Sequence, residues 1–316
     1  MTTAPAEFGL IARHFRPLAG PGALGLLDDA ALLTPPPGRE LVLAADTMVA
    51  GVHFLPDDPP GTIGAKLLRV NLSDLAAMGA DPLAYLMTIS APRGTPDSWF
   101  AAFATGLAAD QARFGLFLLG GDTTSTPGPL TLSLTILGHV VPGQAIRRTG
   151  ARIGDELWVS GTIGDGALGL AALRGQVSDS DGWLAQRYRL PEPRLGLARP
   201  DLVAACLDIS DGLVQDAGHL CRAANLGAEI EADAVPLSDA ARAAGPNWLE
   251  TCLTGGDDYE LLMAIRPGGA PGLLAHTLRL SIPVTRIGRF VAGASVEVHD
   301  ATGATIPIAG GGWSHF

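Results

Sequence analysis

Residues 62–90, TIGAKLLRVNLSDLAAMGADPLAYLMTIS, decide the fold class. Thr62 stands where it caps a helix over 62–78, with Gly79 as its stop. Residues 83–90 then read as a strand. The same alternation extends in both directions. Upstream lie an amphipathic helix over 7–15, a glycine-proline loop at 20–25 leading to Asp28 and Asp29, and a buried strand at 41–45 ending on Asp46. Downstream lie a helix over 98–113, a strand at 116–119 running into Gly120, Gly121 and Asp122, and a long strand at 130–141. The polar segment 142–154 reads as a boundary, giving domains 1–145 and 146–316. The second half repeats the pattern: strand 156–160, a glycine-rich turn, a helix from Ala167, an irregular stretch at 175–200, a strand-loop-helix through 208–224 and a strand at 228–231. Residues 255–260 turn into a strand at 261–265, and a glycine-rich end closes on Trp313. The class is mixed α/β, in two domains.

Composition excludes several functions. The 316 residues are 47% apolar and 17% charged, enough for a sizeable core. The net charge of −11, with no basic run, argues against nucleic acid. Lys66, the only lysine, follows Ala65 and precedes Leu67, so no Walker A loop is present. Cys206, Cys221 and Cys252 form no CxxC pair and read as reduced thiols of a cytoplasmic protein. The histidines contain no HExxH, and neither a signal peptide nor an apolar run of membrane length is expected.

The chemistry lies in where aspartates fall. Asp46 and Asp122 sit at expected strand ends, Asp208 and Asp211 flank Ser210 in a loop before a helix, and Asp29 sits in a glycine-rich loop. Any one of these is equally read as a turn former or helix cap. On the helix over 62–78, Asn71 and Asp74 share a face with Leu67 and Met78, so this polar pair is expected to point inward and to need a partner or a metal. Many carboxylates with few neighbouring cations suit a hard cation such as Mg²⁺, which bridges carboxylates to phosphates. Glycines beside them, as in 120–122 and 255–258, let a ligand approach the backbone. Gly161, Gly164 and Gly166 before a helix form a candidate phosphate cradle. Arg147 and Arg148 read either as a phosphate grip or as a solvated linker. His53, by spacing alone, is not singled out.

Taken in order, these segments resemble the thiamine-monophosphate kinase family. They are Glu7 to Ile11, Asp28-Asp29-Ala30-Ala31, Asp46 through His53-Phe54, Asn71 through Pro82, and Gly120-Gly121-Asp122-Thr123-Thr124. Arg148-Thr149-Gly150, Asp208 through Leu213, and Gly255 through Leu261 complete the set. The 71–82 and 208–213 segments are shared with aminoimidazole-ribonucleotide synthetase, selenophosphate synthetase and a hydrogenase-maturation protein. The resemblance implies a two-domain synthetase-like fold, with an N-terminal domain forming a shared barrel across a homodimer and a C-terminal α/β domain. It implies Mg²⁺-dependent transfer of the ATP γ-phosphoryl group to thiamine monophosphate. It assigns Asp29, Asp46, Asp74, Asp122, Asp208 and Asp211 to the metal ions, with Asp74, Asp122 and Asp211 as catalytic members. It assigns Gly121, Asp122, Arg148 and Ser210 to ATP, and His53, Asp257 and Trp313 to the thiamine phosphate. Four positions depart from the family pattern: Ala44-Ala45 replace hydroxyl residues, Leu27 replaces a glycine, and Asp257 stands where a Glu is frequent. Two alternatives stay open: another ATP-dependent synthetase of the superfamily, or a non-catalytic nucleotide-binding partner protein. Selenophosphate synthesis is disfavoured, since the first cysteine is Cys206.

Overall fold

The structure, a computed structural model, describes residues 6–309 and 312–314. The chain divides into two compact units, Met1–Leu75 with Asp81–Gly143, and Ala76–Ala80 with Gln144–Phe316. Both are mixed α/β.

The first unit opens with a short helix α1 (Ala6–Leu10), continued by a π-helical turn, Ile11–Phe15. Then follow β1 (Glu40–Val49), α2 (Pro60–Ala77), β2 (Asp81–Pro92), α3 (Asp97–Phe114), β3 (Phe117–Thr126) and β4 (Thr131–Val140). The strands form one sheet in the order β1-β4-β2-β3, with only β2 and β3 parallel. Leu67, Leu68, Leu72 and Leu75 of α2 are fully buried, as are Phe103 and Leu107 of α3. The two helices approach closely: a Cβ on Gly106 would stand 1.9 Å from the Gly61 carbonyl, and one on Gly64 would stand 2.5 Å from that of Phe103. Glycine is what permits this crossing. A buried ion pair adds to it, with the Arg69 guanidinium on both Asp110 oxygens at 2.6 and 3.0 Å.

The second unit contains β5 (Glu156–Ser160), α4 (Asp165–Leu173), α5 (Trp183–Arg189), β6 (Ala205–Asp208), α6 (Leu213–Ala224) and β7 (Gly227–Glu231). It continues through α7 (Asp239–Ala244), α8 (Leu249–Thr254), β8 (Leu261–Ile265), α9 (Ala270–Leu280), β9 (Val284–Val291) and β10 (Val296–His299). Six strands pair in the order β10-β7-β9-β5-β8-β6. One apolar layer joins Leu157, Leu207, Leu262 and Ile287 to Leu213 and Leu220 of α6. Another joins Trp158, Cys206 and Met263 to Leu273 of α9.

Several expectations change. Asp46 and Asp122 lie inside their strands, not at the ends, because β1 continues to Val49 along β4 and β3 continues to Thr126 along β2. Pairing with a long neighbour extends a strand past the glycines that seemed to stop it. Thr62 lies within the first turn of α2, its hydroxyl bonded to the Pro59 carbonyl at 2.8 Å. The stretch 175–200 carries α5, started at Gly182 and held by the Asp179 carboxylate on the Leu184 and Ala185 amides. Helices α7 to α9 and strands β9 and β10 add to what the sequence pattern gave. Among the described residues no helix is long and apolar enough to cross a membrane.

Candidate active site

In the first unit, register fixes where the carboxylates point. Asp46, Leu134, Met87 and Gly121 form one row across the sheet, and Thr47, Ser133, Thr88 and Asp122 form the next. Met87 and Leu134 are buried, whereas Thr47, Thr88 and Asp122 are exposed. The two rows therefore face opposite sides of the sheet. Asp46 and Asp122 also occupy opposite edge strands, three strand spacings or about 14 Å apart. Within this unit they do not share an ion.

Asp122 instead lines one cavity with Asp28 and Asp29. The cavity, of about 590 Å³, is also lined by Gly120, Gly121 and apolar side chains including Phe15 and Leu119. The Asp122 carboxylate accepts the Thr123 amide at 2.9 Å, and Asp28 accepts that of Asp29 at 3.1 Å. Gly121 is required here: a Cβ would stand 1.6 Å from the Met87 carbonyl. Asp46 is held by Asn71, which is fully buried on α2. The Asn71 side-chain oxygen accepts the Asp46 amide at 3.2 Å, and its nitrogen donates to the Leu67 carbonyl at 2.9 Å. Asp74 is half-buried one helical turn further on. His53 sits in the turn after β1, its Nδ1 accepting the Val49 amide at 3.0 Å.

In the second unit four expected residues come together through the backbone. The Asp257 amide donates to the Ser210 carbonyl at 3.0 Å, and the Tyr259 amide donates to that of Ile209 at 2.8 Å. The Trp313 amide donates to the Asp211 carbonyl at 3.0 Å, while Gln215 donates to the Trp313 carbonyl at 2.6 Å. The 208–211 loop is thus lined on one side by Asp257 and on another by Trp313, whose ring is about half exposed. Asp257 has φ +71°, in the left-handed region, so its side chain leaves the loop at an angle extended backbone would not give. Burial, followed by the charges of Arg222 and then Arg148, depresses the His219 imidazole below its usual range, which sets Arg148 near this loop. Asp208, at the end of β6, is buried.

Two buried aspartates to which sequence reading gave no individual role build these loops. Asp216, in the first turn of α6, receives the amides of Ser210, Asp211 and Gly212 on one oxygen, at 3.1, 3.0 and 3.1 Å. Burial pushes its carboxyl up to about 7, against the effect of those amides. Its spacing after Asp211-Gly212 at a helix start was the available signal. Asp258, fully buried, receives the Gly164 and Gly166 amides at 2.7 and 3.0 Å. Burial pushes it up to about 8. The glycine turn at 164–166 is therefore not a phosphate cradle: an internal carboxylate already occupies both amides. Glu260 is likewise buried, clamped by Arg187 at 3.0 Å, by Arg194 and by the Ser160 hydroxyl at 2.6 Å.

These oxygen donors fit a hard cation better than a soft one. Among the described residues, ligand atoms of Asp211, Asp216 and His219 also lie within 4.8 Å of one another.

Sequence comparison matches the AIR synthase related protein N-terminal domain to residues 27–140 and its C-terminal domain to 152–301. A thiamine-monophosphate kinase from Caulobacter vibrioides is 43% identical over 98% of this chain and 91% of its own length. The chain belongs to the thiamine-monophosphate kinase family. The thiamine-monophosphate kinase from Stenotrophomonas maltophilia superposes with a TM-score of 0.81 at 41% identity, covering 87% of this chain and 90% of that one. AaThiL complexed with AMPPCP and TMP superposes at 0.76 and 30% identity, covering 92% and 91%. This kinase thus follows its family through both units.

Proposed function

We propose that this chain transfers the γ-phosphoryl group of ATP to thiamine monophosphate in one in-line step, giving thiamine diphosphate and ADP. The observation that carries it is the pair of backbone bonds from Asp257 to Ser210 and from Trp313 to Asp211, which gather three separate motifs at one loop. Names of relatives and a solved complex holding an ATP analogue and TMP support the same reading.

The acceptor phosphate has a second pKa near 6, so at neutral pH one of its oxygens is already an adequate nucleophile. No general base is needed. That oxygen forms the new bond to the γ-phosphorus as the bond to the ADP oxygen breaks, and no phospho-enzyme intervenes. The difficulty is charge, since two polyanions must meet near carboxylates. Mg²⁺ held by such carboxylates would supply the neutralising positive charge. Asp29, Asp46, Asp74, Asp122, Asp208 and Asp211 are the residues proposed to hold such ions, several in number and not one shared by all six. Gly121, Arg148 and Ser210 are proposed to contact ATP. His53 and Asp257 would orient the thiamine phosphate, and the exposed face of Trp313 would stack on its rings.

The homodimer belongs to the same proposal. β1 and β3 are the outer strands of the sheet, and they carry Asp46 and Asp122 about 14 Å apart. A second copy closing a shared barrel would pair those edges and bring carboxylates of two chains together. A cytoplasmic setting fits its three reduced, buried cysteines.

Product formation from ATP, Mg²⁺ and thiamine monophosphate, separated by chromatography, tests the reading. Thiamine diphosphate is expected only with metal and with the monophosphate. Its absence from folded, ATP-binding protein would overturn it.

A further inference from the structure

The turn that carries His53 is locked from two sides. The Val52 and His53 amides both donate to the Val49 carbonyl at 3.0 Å, and the Gly51 amide donates to that of Phe54 at 2.8 Å. Phe54 is 2% exposed and anchors the turn to the core. The imidazole bends back, and its Nδ1 accepts the Val49 N–H at 3.0 Å. A backbone N–H can only donate. Nδ1 is therefore the ring's acceptor, and in the neutral ring the proton sits on Nε2. An imidazolium, which donates from both nitrogens, would have to give up the Val49 bond.

Beneath this turn lies the single lysine. Lys66 of α2 is 2% exposed, and its ammonium donates to the His53 carbonyl at 3.0 Å. A buried ammonium is retained only where its partners repay its desolvation. A leucine or methionine would fill an apolar helix face at no such cost. Lys66 ties α2 directly to the residue whose side chain is read as an acceptor contact.

We propose that Lys66 is a positioning residue for the phosphate acceptor: with the Val49 amide it holds His53 as the neutral Nε2–H tautomer, a hydrogen-bond donor and not a cation. The inference rests on the reading of His53 as a thiamine-phosphate contact. It assigns neutralisation of the acceptor charge to other groups and leaves His53 the task of orientation.

The test combines a variant, a control and a spectroscopic measurement. Lys66→Met keeps the length of the side chain and removes the ammonium. It is expected to raise KM for thiamine monophosphate about tenfold, the loss of one charge-assisted hydrogen bond, with KM for ATP and kcat within about twofold. His53→Ala serves as the control and is expected to raise the same KM at least as much. A folded Lys66→Met with unchanged acceptor KM, beside an impaired His53→Ala, overturns the role of Lys66 alone. An unimpaired His53→Ala overturns the acceptor reading of His53, and this inference with it. Nitrogen-15 NMR of the histidine rings in the wild-type protein needs no substrate and tests the tautomer half of the proposal even where Lys66→Met does not fold. A protonated Nε2 beside an unprotonated Nδ1 on His53 is expected at pH 8, and the opposite tautomer or an imidazolium overturns the proposal.

Discussion

Asp216→Ala is expected to damage the 208–211 loop more than any change to the residues that the loop displays. The wild-type carboxylate satisfies three amides on one oxygen, at 3.0 to 3.1 Å. Alanine leaves all three without an acceptor. The Gly212 amide lies in a buried residue, where an unsatisfied donor costs about 1–3 kcal/mol. Ser210 and Asp211 are half-buried, so water recovers part of their loss, and the gross effect is about 3–5 kcal/mol. Against this, at pH 5 the variant no longer buries a carboxyl that the fold pushes up to about 7, which at that pH returns about 1–2 kcal/mol. The net expectation is a loss of about 2–3 kcal/mol, read from urea denaturation at pH 5 without Mg²⁺ or nucleotide so that ion binding does not enter. Turnover should fall about 100-fold, since Ser210 and Asp211 lose their fixed geometry. Asp216→Asn keeps one acceptor oxygen and should fall between the two. An alanine variant within 0.5 kcal/mol of wild type (a bound of ordinary surface substitutions), or one no worse than asparagine, would refute the reasoning.

Three further expectations follow from the same geometry. Asp122→Asn should leave circular dichroism unchanged while lowering Mg²⁺-dependent turnover about 100-fold; near-normal turnover would remove Asp122 from the metal set. Gly121→Ala puts a Cβ 1.6 Å from the Met87 carbonyl, so β3 must shift against β2, and a loss of about 2 kcal/mol or more is expected in urea denaturation. Asp258 has a folded pKa of about 8, above its unfolded 3.8, so its neutral form is favoured by the fold. Its contribution is complete below pH 4 and is lost as pH rises to 8; Asp258→Asn should flatten that decline between pH 5 and 8, and an unchanged slope would show that Asp258 does not titrate there.

Much of this protein was legible in its chain. Apolar periodicity placed α2, α3 and β5 within a residue or two, since each is long or apolar enough to be set by local pattern. The aspartates of the motifs could be picked out because a carboxylate beside glycine, or inside an apolar helix, needs an explanation that burial does not supply. Two things required the tertiary structure. The first is strand extent: β1 and β3 run past Asp46 and Asp122 because hydrogen bonds to β4 and β2, distant in sequence, continue there. The sequence therefore named the carboxylates, while only the sheet order set Asp46 and Asp122 on opposite edges and faces. The second is the supporting shell. Asn71, Asp216, Asp258 and Lys66 act by receiving or giving hydrogen bonds at backbone groups 4 to 94 residues away, as with Gly212 for Asp216 and Gly164 for Asp258. Apart from the helix-start spacing of Asp216, no local pattern encodes such a partner, because a backbone amide has no side-chain identity to read. It becomes visible only when folding brings the two together.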